Sequence, residues 1–383
     1  MSNLTFNVSA ETRSYQNCPV SANVAVDSLP DEPVVLTDNA GTVLPGQVER
    51  TGGDVRIHWI IPSIAQGETQ SYAVSTGSPP DTGIVGLTHE DESVNVAVGN
   101  DAFTTYFFGS EFARPYLHPL TGPSGSVTRH YPMEDVPGEK QDHVHHRGCW
   151  AAWGDVNGAD NWIEEGDYAR TVHRGIEVIE SGSVFGRLRT LNDWVTADGT
   201  KLMEEIREYR FYNQPASCRA LDMVVEFVAS EGPVRFGDTK EGGICSVRVA
   251  TSMDATDAGT FENAYGAINE DEGWGKRAPW CDYHGPVNNT IAGIAVMDHP
   301  GNYCYPTYWH VRNYGLMTAN PFGLSYFHSA TPDPDPDFDG SHTLQKDEVL
   351  KFRYRVLVHA GDTRSADVAG QYHHYINPPV IEA

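Results

Sequence analysis

Basic residues are scarce in this chain. Lysine and arginine together number 26, and only six of them are lysines, against 52 aspartate and glutamate residues, so the formal net charge is −26. A field of that sign repels nucleic acid and anionic lipid headgroups. We therefore predict neither a nucleic-acid partner nor a membrane partner.

Long apolar runs are also missing, and we expect no leader segment. No stretch approaches the roughly 18 consecutive apolar residues of a membrane-spanning helix. The N-terminal sequence MSNLTFNVSAETRSYQN is polar and lacks the basic and apolar regions of a signal peptide. These absences predict a cytoplasmic protein.

The six cysteines show no CxxC or other metal-ligand spacing. A chain of 383 residues has ample apolar surface to bury and does not need disulfides for stability, so we predict reduced, buried thiols. The HExxH, GxGxxG and GxSxG motifs of zinc proteases, dinucleotide-binding proteins and α/β-hydrolases are absent as well.

Short apolar segments separated by turn residues take the place of amphipathic helices. They are rich in β-branched and aromatic residues, and many of the 37 glycines and 24 prolines lie between them, which predicts a mostly β protein. Residues 362–375 are the best candidate for a helix. Strand-like segments lie at residues 23–26, 55–61, 71–75, 93–98, 102–108, 204–211 and 221–229.

A polar link at residues 76–83, TGSPPDTG, is the best domain boundary. We predict that residues 1–84 form a small N-terminal β-sandwich module, and that residues 85–383 form a larger β domain packed against it. The polar, aromatic and histidine-rich motifs all lie beyond residue 100, so the functional site is expected in the second domain alone. The PDPDPD tract at residues 332–337 is typical of an exposed acidic loop.

Three of the 16 histidines fall within residues 143–146, directly before Arg147. Imidazole supplies a donor and an acceptor and titrates near neutral pH, while arginine supplies a fixed fork of donors. If the segment is a strand, His143 and His145 share one face and His146 lies on the other. Such a mixture of side chains indicates a ligand site.

Residues 114–132, 142–162, 237–243, 275–283 and 298–323 together supply the hydroxyl-directed donors, acceptors and aromatic faces that a carbohydrate site needs. Glu241 and Asp282 are the natural pair of carboxylates for glycoside hydrolysis. In a lyase or epimerase, His145 or His310 would act as acid or base with one of them.

We expect His145, His146, Arg147, Lys240, Glu241 and Asp282 to line one pocket. The predicted catalytic residues are His145, Glu241, Asp282 and His310, and the predicted substrate-binding residues are Arg114, His146, Arg147, Trp153, Asp155, Asn157, Lys240, Trp309 and Arg312.

A metal site is the alternative use of these histidines. The pair His143 and His145 is spaced as in a cupin, but Cys149 and Trp150 stand where a cupin has its glutamate. With a distant carboxylate the two imidazoles could still hold Zn²⁺, Mn²⁺ or iron. We predict no metal and no other cofactor.

Five motifs carry a family resemblance, in the order RPY, HVHHRG with WGDVNG, GDTKEG, GKRAPW, and PTYWHVR with ANPFG. Through these motifs, residues 90–360 resemble the bacterial PmoA-like family. The family name refers to a membrane-bound methane monooxygenase subunit, a function that a chain without a spanning segment does not share. The resemblance implies a galactose-mutarotase-like β-supersandwich, a fold of epimerases, polysaccharide lyases and several glycoside hydrolases.

The leading hypothesis is an enzyme of glycoside hydrolase or lyase type that acts on a small-molecule carbohydrate. It would cleave a sugar C–O bond by hydrolysis or β-elimination. A keto-sugar is a plausible substrate form because its carbonyl acidifies the neighbouring C–H bond. A sugar epimerase or mutarotase, a non-catalytic carbohydrate-binding protein and a metal-dependent oxygenase are the alternatives. The sugar, its linkage and the oligomeric state stay open.

Overall fold

A computed structural model describes residues 4–25, 33–80, 82–329 and 337–383. It confirms the prediction of a mostly β protein, and the strands pair in antiparallel sheets. Apart from Asp337, the predicted acidic loop at residues 332–337 lies outside the described residues. In the described ranges, no helix has the combination of length and hydrophobicity needed to cross a bilayer.

The N-terminal part is a small sandwich of two antiparallel sheets. Its core is closed by large apolar side chains from both sheets; the rings of Phe6 and Trp59, for example, stack with their centroids 5.5 Å apart. With strands numbered along the chain, the first sheet contains, in spatial order, β29 (Val380–Glu382), β1 (Thr5–Ser9), β7 (Thr69–Thr76), β3 (Val34–Asp38) and β4 (Val43–Pro45). The second sheet contains β2 (Tyr15–Val24), β6 (Asp54–Ile64) and β5 (Gln47–Thr51).

The C-terminal strand β29 hydrogen-bonds to β1 and so belongs to the N-terminal sheet. The sequence division placed these residues in the second domain, because strand pairing between distant segments leaves no local signal. The division of the chain into two domains near residue 84 stays a prediction.

The larger part is a sandwich of a nine-stranded and an eight-stranded antiparallel sheet that share one apolar core. The nine-stranded sheet contains, in spatial order, β22 (Lys276–Arg277), β25 (Tyr308–Arg312), β26 (Leu316–Asn320), β20 (Gly242–Arg248), β14 (Cys149–Trp153), β11 (Tyr116–His118), β10 (Asp101–Phe107), β9 (Ser93–Val98) and β8 (Val85–Glu90). The eight-stranded sheet contains β15 (Arg170–Glu180), β16 (Phe185–Val195), β17 (Lys201–Tyr212), β18 (Cys218–Val228), β28 (Val349–Ala360), β24 (Thr290–Asp298), β23 (Trp280–Val287) and β21 (Thr260–Asn263).

Short elements complete the described part of the larger sandwich. The predicted helix at residues 362–375 is present but begins later, at Val368, where the Asp367 carboxylate accepts a hydrogen bond from the backbone N–H of Gly370. The other elements are the strand pairs β12 (Thr121–Gly122) with β13 (Gly125–Ser126) and β19 (Val234–Phe236) with β27 (His342–Leu344), and the helices α1 (Asn269–Gly273), α2 (Leu324–His328) and α3 (Val368–Ile376).

The two sandwiches contact each other through polar side chains. The Gln47 side-chain oxygen accepts hydrogen bonds from the backbone N–H groups of Val184 and Phe185, both at 3.0 Å. The guanidinium of Arg210 donates to Glu49 at 2.8 Å. Gln47 and Glu49 both lie in β5. Their hydrogen bonds therefore hold the small sandwich against the eight-stranded sheet.

All six cysteines are free thiols, as the sequence predicts. Four of them are buried, as predicted, and two, Cys218 and Cys304, are partly exposed, so the prediction of burial is wrong for these two. Burial raises the pKa of Cys18 to about 12 and that of Cys218 to about 11, so these thiols stay protonated at neutral pH.

Candidate functional site

One face of the nine-stranded sheet carries a row of polar and aromatic side chains. Adjacent strands place Tyr116 opposite Trp150, Trp150 opposite Ser246, Ser246 opposite Thr318, and Thr318 opposite His310. Residues directly opposite each other in an antiparallel sheet point to the same side. We call this side, which faces away from the core, the site face.

A second row follows on the same side two residues further along the strands. Arg248 lies opposite Leu316, and Leu316 lies opposite Arg312. The site face therefore carries a buried arginine from β20 and a partly exposed arginine from β25. Strand alternation sends the intervening residues Val247, Met317 and Val311 into the core.

The three clustered histidines lie in a turn, and the strand geometry expected for them is wrong. His143 has φ of 45°, and the backbone N–H of His146 donates to the carbonyl of His143 at 3.0 Å. The turn brings all three rings together, with centroids 4.4 Å apart for His145 and His146 and 5.8 Å apart for His143 and His145. In a strand, His146 would point away from the other two.

Asp142 holds this turn against the sheet. Its carboxylate accepts a hydrogen bond from Arg129 at 2.5 Å and lies 2.9 Å from Arg248 and 3.1 Å from the ring of His143. Burial favours the neutral acid, but the two arginines and His143 outweigh it and hold the pKa of Asp142 at about 2. The histidine turn is thus anchored by an ionised carboxylate.

A column of aromatic rings supports the turn from the side. Tyr314, His143, His146 and Trp150 stack in that order, with centroid distances of 4.8, 4.8 and 5.3 Å. Trp162 closes the column edge-on against His146 at 5.5 Å. Both tryptophans are buried, so they position the histidines and do not offer a free face to a sugar ring.

His145 is the histidine of this turn whose ring is not held by hydrogen bonds. Its backbone carbonyl accepts from Arg114, whereas its ring nitrogens have no hydrogen-bond partner among the described residues. Burial, with the positive charge of Arg114 next, lowers the pKa of His145 to about 4. The ring is therefore neutral at pH 7, with a lone pair available to accept a proton.

His146 has a different role from its neighbour. Its ring is 1% exposed, and Nδ1 accepts a hydrogen bond from Arg248 at 3.1 Å. Burial and the surrounding positive charges hold its pKa well below the ordinary value. A neutral ring packed on Trp150 and bonded to Arg248 orients the turn and does not reach a substrate.

Glu164, which the sequence analysis did not single out, binds two arginines of the site. Its Oε1 accepts from Arg114 Nη1 at 2.8 Å and from Arg147 Nη1. Arg114 also donates to the carbonyls of Asn161 and Trp162, at 2.6 and 3.0 Å, so it is a structural link. Burial lowers the pKa of Arg114 to about 10. The sequence signal that could have identified Glu164 is its position, two residues after the motif that ends in Asn161-Trp162.

Replacing Glu164 by glutamine is expected to lower the free energy of unfolding by roughly 1–3 kcal/mol, because the buried Arg114 loses its neutralising charge. Urea denaturation measures the change. The neighbouring exposed residue provides the control: Glu165→Gln should change stability by less than about 0.5 kcal/mol. Equal effects from both variants would contradict the pairing.

Glu241 is a partly exposed carboxylate beside the site face, and it lies in the turn that leads into β20. Its side chain is 44% exposed and contacts the ammonium group of Lys240. Burial favours the neutral acid, but the hydrogen bond from Lys240 and nearby His310 and Arg312 outweigh it and lower the pKa of Glu241. Its charge also acts on His145, which places the two groups within electrostatic range of each other.

His310 is bonded at both ring nitrogens. Nδ1 lies 2.7 Å from the carbonyl of Lys240, and Nε2 accepts from Arg312 Nε at 3.1 Å. Burial and Arg312 lower its pKa to about 4. With Nδ1–H donating to Lys240 and the Nε2 lone pair engaged, His310 positions Lys240, Glu241 and Arg312, and the acid–base role predicted for it does not fit this geometry.

Arg312 completes this side of the site. It pairs with Glu270 through Nη1, and its guanidinium lies 5.8 Å from the ring centroid of Trp274. Trp274 and Glu270 were not identified from the sequence, since neither lies in one of the motifs. Their partly buried positions at α1 bring an aromatic ring and a second carboxylate beside His310.

Asp282 lies on the opposite side of the molecule's larger sandwich, which corrects its predicted place in the site. It is in β23, where Cys281 and Tyr283 face the core, so alternation directs Asp282 to the outer face of the eight-stranded sheet. There it accepts from Thr363 at 2.6 Å and contacts His359 at 2.9 Å. The expected carboxylate pair of Glu241 and Asp282 does not form.

Four predicted substrate-binding residues also have structural roles. Trp153 and Trp309 point into the core, and their indole N–H groups donate to backbone carbonyls, each at 2.9 Å. Asp155 accepts from the backbone of Gly158, and Asn157, with φ of 52°, accepts from the backbone of Arg235. The two indoles face the core and not the site face. The side chains of Asp155 and Asn157 stabilise a turn.

The predicted residues therefore separate into two groups. The described part of the chain contains no group of three or more histidine, cysteine or acidic side chains arranged to hold a metal ion, so His143 and His145 lack a third ligand there. The structure brings together, at or directly behind the site face, His145, His146, Arg114, Arg147, Lys240, Glu241, His310 and Arg312, and it places Asp282, Trp153, Asp155, Asn157 and Trp309 elsewhere.

Comparison with known proteins corrects the family resemblance. No curated protein matches the chain. The family that matches residues 93–373 is described as a family of unknown function, DUF6807, and nothing shows a relationship to the PmoA-like family, so that identification is wrong. The two-sheet sandwich rests on the structure and not on the resemblance. Since the match spans well over half of its length, the chain belongs to the DUF6807 family.

Proposed function

We propose that this protein is a carbohydrate-active enzyme that cleaves a sugar C–O bond by β-elimination, with His145 as the general base. The observation that carries the proposal is the state of His145. Its ring is neutral at pH 7, has no hydrogen-bond partner among the described residues, and lies within electrostatic range of Glu241. A base in that state can remove a proton from a carbon acid.

A keto-sugar suits this chemistry. His145 would take the proton from the carbon next to the carbonyl, and the electron pair would form a C=C bond as the C–O bond one carbon further on breaks. The leaving group departs as an alkoxide and takes up the proton that His145 had removed, directly or through water, which returns His145 to its neutral form. Arg147, Lys240 and Arg312 supply positive charge where negative charge develops on the carbonyl oxygen, which is the usual electrostatic contribution to such a step.

The placement of carboxylates argues against ordinary glycoside hydrolysis. That reaction needs two carboxyl groups flanking one bond, one of them protonated. Asp282 lies on the other sheet, and Glu241 has a lowered pKa that keeps it ionised. The Glu164 carboxylate forms ion pairs with two arginines, Arg114 and Arg147. An ionised Glu241 is a second base and not a general acid.

Epimerisation is the second candidate, and the presence of two bases, His145 and Glu241, within electrostatic range of each other favours it. Two bases on opposite sides of one carbon can remove a proton from one face and return it to the other. The same enolate would form, but the C–O bond would stay intact. Elimination and epimerisation therefore share their first step and differ in their products.

The test is incubation with paired panels of keto-glycosides and the corresponding unoxidised glycosides. We expect turnover of keto-glycosides only, with an unsaturated sugar and the free leaving group detected by mass spectrometry. Deuterium incorporation from D₂O without loss of the leaving group would select epimerisation. Equal cleavage of unoxidised glycosides, binding without turnover, or loss of activity on chelation would contradict the proposal.

We also propose a cytoplasmic location and a small-molecule carbohydrate as the partner. The six unpaired thiols support the location, because reducing compartments keep cysteines in that form. The acidic charge of the chain supports an uncharged or small substrate over nucleic acid.

A further inference from the structure

A cavity of about 350 Å³ lies between the two sandwiches, away from the site face. Its wall combines β2 and β6 of the small sandwich with β17 and β28 of the eight-stranded sheet, and α3 and the residues after it close one side. The titratable side chains of the wall are Arg56, His58, Arg210, Tyr212, Arg355, His374 and Tyr375.

The charge of this wall is opposite to that of the chain. Carboxylates outnumber basic residues by 52 to 26 overall, yet the described residues that line the cavity include three arginines and no aspartate or glutamate. The neutralising carboxylates lie behind the arginines: Arg355 donates to Asp222 at 2.7 and 2.9 Å, and Arg210 donates to Glu49 at 2.8 Å. The described side chains that line the cavity are therefore basic or uncharged, and no acidic side chain is among them.

Arg56 is the arginine of this wall that is not neutralised. Its Nε donates to the amide oxygen of Asn23 at 2.9 Å, and no described carboxylate forms an ion pair with it. Its side chain is exposed on β6, two residues before the buried His58. The planar fork of its remaining donors matches a carboxylate or phosphate group.

His374 also lines this cavity. The residue is 4% exposed, and its Nε2 lies 3.3 Å from the carbonyl of Ser14, to which it donates. Nδ1 is buried and has no hydrogen-bond partner among the described residues. A buried acceptor without a partner is costly unless a ligand or water satisfies it, and a hydroxyl group is the natural donor.

We propose that this cavity binds a small hydroxylated oxyanion, with the anionic group on Arg56 and a hydroxyl group on the side of the wall that His374 forms. A sugar phosphate and a sugar acid share this chemistry. Because the wall comes from both sandwiches, the bound anion would also strengthen their contact. The proposal does not depend on the β-elimination proposed for the site face.

Isothermal titration calorimetry with glucose 6-phosphate, gluconate and neutral glucose tests the proposal. At least one of the two anions is expected to bind, and glucose is not. Arg56→Gln should weaken the binding by about tenfold to a hundredfold, the value of one charge-assisted hydrogen-bond pair. Stronger binding of glucose 6-phosphate would assign the phosphoryl group, and stronger binding of gluconate the carboxylate.

The controls separate this cavity from the site face. Arg174→Gln removes the same charge from an exposed strand position, paired only with Asp193 at 3.2 Å, and should bind like the unchanged protein. His145→Gln should also bind normally. Binding of neither anion, equal binding of glucose, undiminished binding by a folded Arg56→Gln variant, or loss of binding in His145→Gln would each overturn the proposal.

Discussion

Replacing His145 by glutamine is expected to lower kcat/KM on an accepted keto-glycoside by roughly 10²–10⁴-fold, the usual effect of removing a general base. Glutamine keeps the approximate size of the side chain but cannot take up the proton. The ring of His145 is not hydrogen-bonded to described residues, so the variant should fold normally. Steady-state kinetics with a thermal denaturation check measure the effect.

The pH dependence gives this prediction a second readout. Burial and Arg114 lower the pKa of His145 to about 4, so the base form persists down to that pH. The acid limb of kcat/KM should therefore lie near pH 4 and not near the ordinary 6.5 of histidine. His89→Gln, which changes an exposed histidine on the edge strand β8, should leave both rate and pH profile unchanged. Full activity in His145→Gln would exclude it as the base.

Replacing Asp282 by asparagine is expected to lower the free energy of unfolding by roughly 3–5 kcal/mol, because it breaks a buried ion pair and leaves His359 without its counter-charge. Asp282 is fully buried, and His359 and Thr363 are bonded to its carboxylate at 2.9 and 2.6 Å. Urea denaturation measures the loss. Catalysis by the folded variant should be retained, since Asp282 lies on the outer face of the other sheet.

The two pKa shifts define the pH at which this loss is largest. Despite burial, His359, His284 and Thr363 lower the pKa of Asp282, so its contribution is present above the ordinary 3.8 and disappears as the pH falls through the lowered value. Asp282 outweighs burial and raises the pKa of His359, so that contribution is present below 6.5 and disappears as the pH rises through the raised value.

The difference in stability between the unchanged protein and Asp282→Asn should therefore be greatest between pH 3.8 and 6.5 and should shrink at higher pH. Asp91→Asn, at an exposed position between β8 and β9, is the matched control and should show neither the loss nor the pH dependence. A pH-independent difference would contradict a charged pair.

Residue chemistry alone singles out His145, Arg147, Lys240 and Glu241, which the structure brings to one face of the nine-stranded sheet. Histidine, arginine and carboxylate in short motifs are uncommon in a core, so their types carry information without a structure. Glu164 and Trp274 were missed because each lies outside the motifs. Their importance comes from Arg147 and Arg312, which they contact in space.

The predictions that Asp282 and Trp309 belong to the site were wrong for a different reason. Each is the polar or aromatic member of a convincing motif, but a strand directs neighbouring residues to opposite sides. Which side faces the core depends on the pairing register with distant strands, and a shift of one residue exchanges the two sides. The motif GKRAPW-C-D-Y cannot reveal that Cys281 and Tyr283 face the core and Asp282 faces outward.

The sequence by itself determined the mostly β class, the acidic charge and the chemical character of the site, because strand periodicity, turn residues and side-chain type are local properties. Only the tertiary structure decided which polar residues meet, that β29 returns to β1, and that the histidines share a turn. The pairing of β29 with β1 joins segments hundreds of residues apart, where the hydrogen bonds and the buried face of each strand are set by the partner and not by the strand itself. The histidine turn is local in sequence, but Asp142, which anchors it, is held by Arg129 and Arg248 from other segments of the chain.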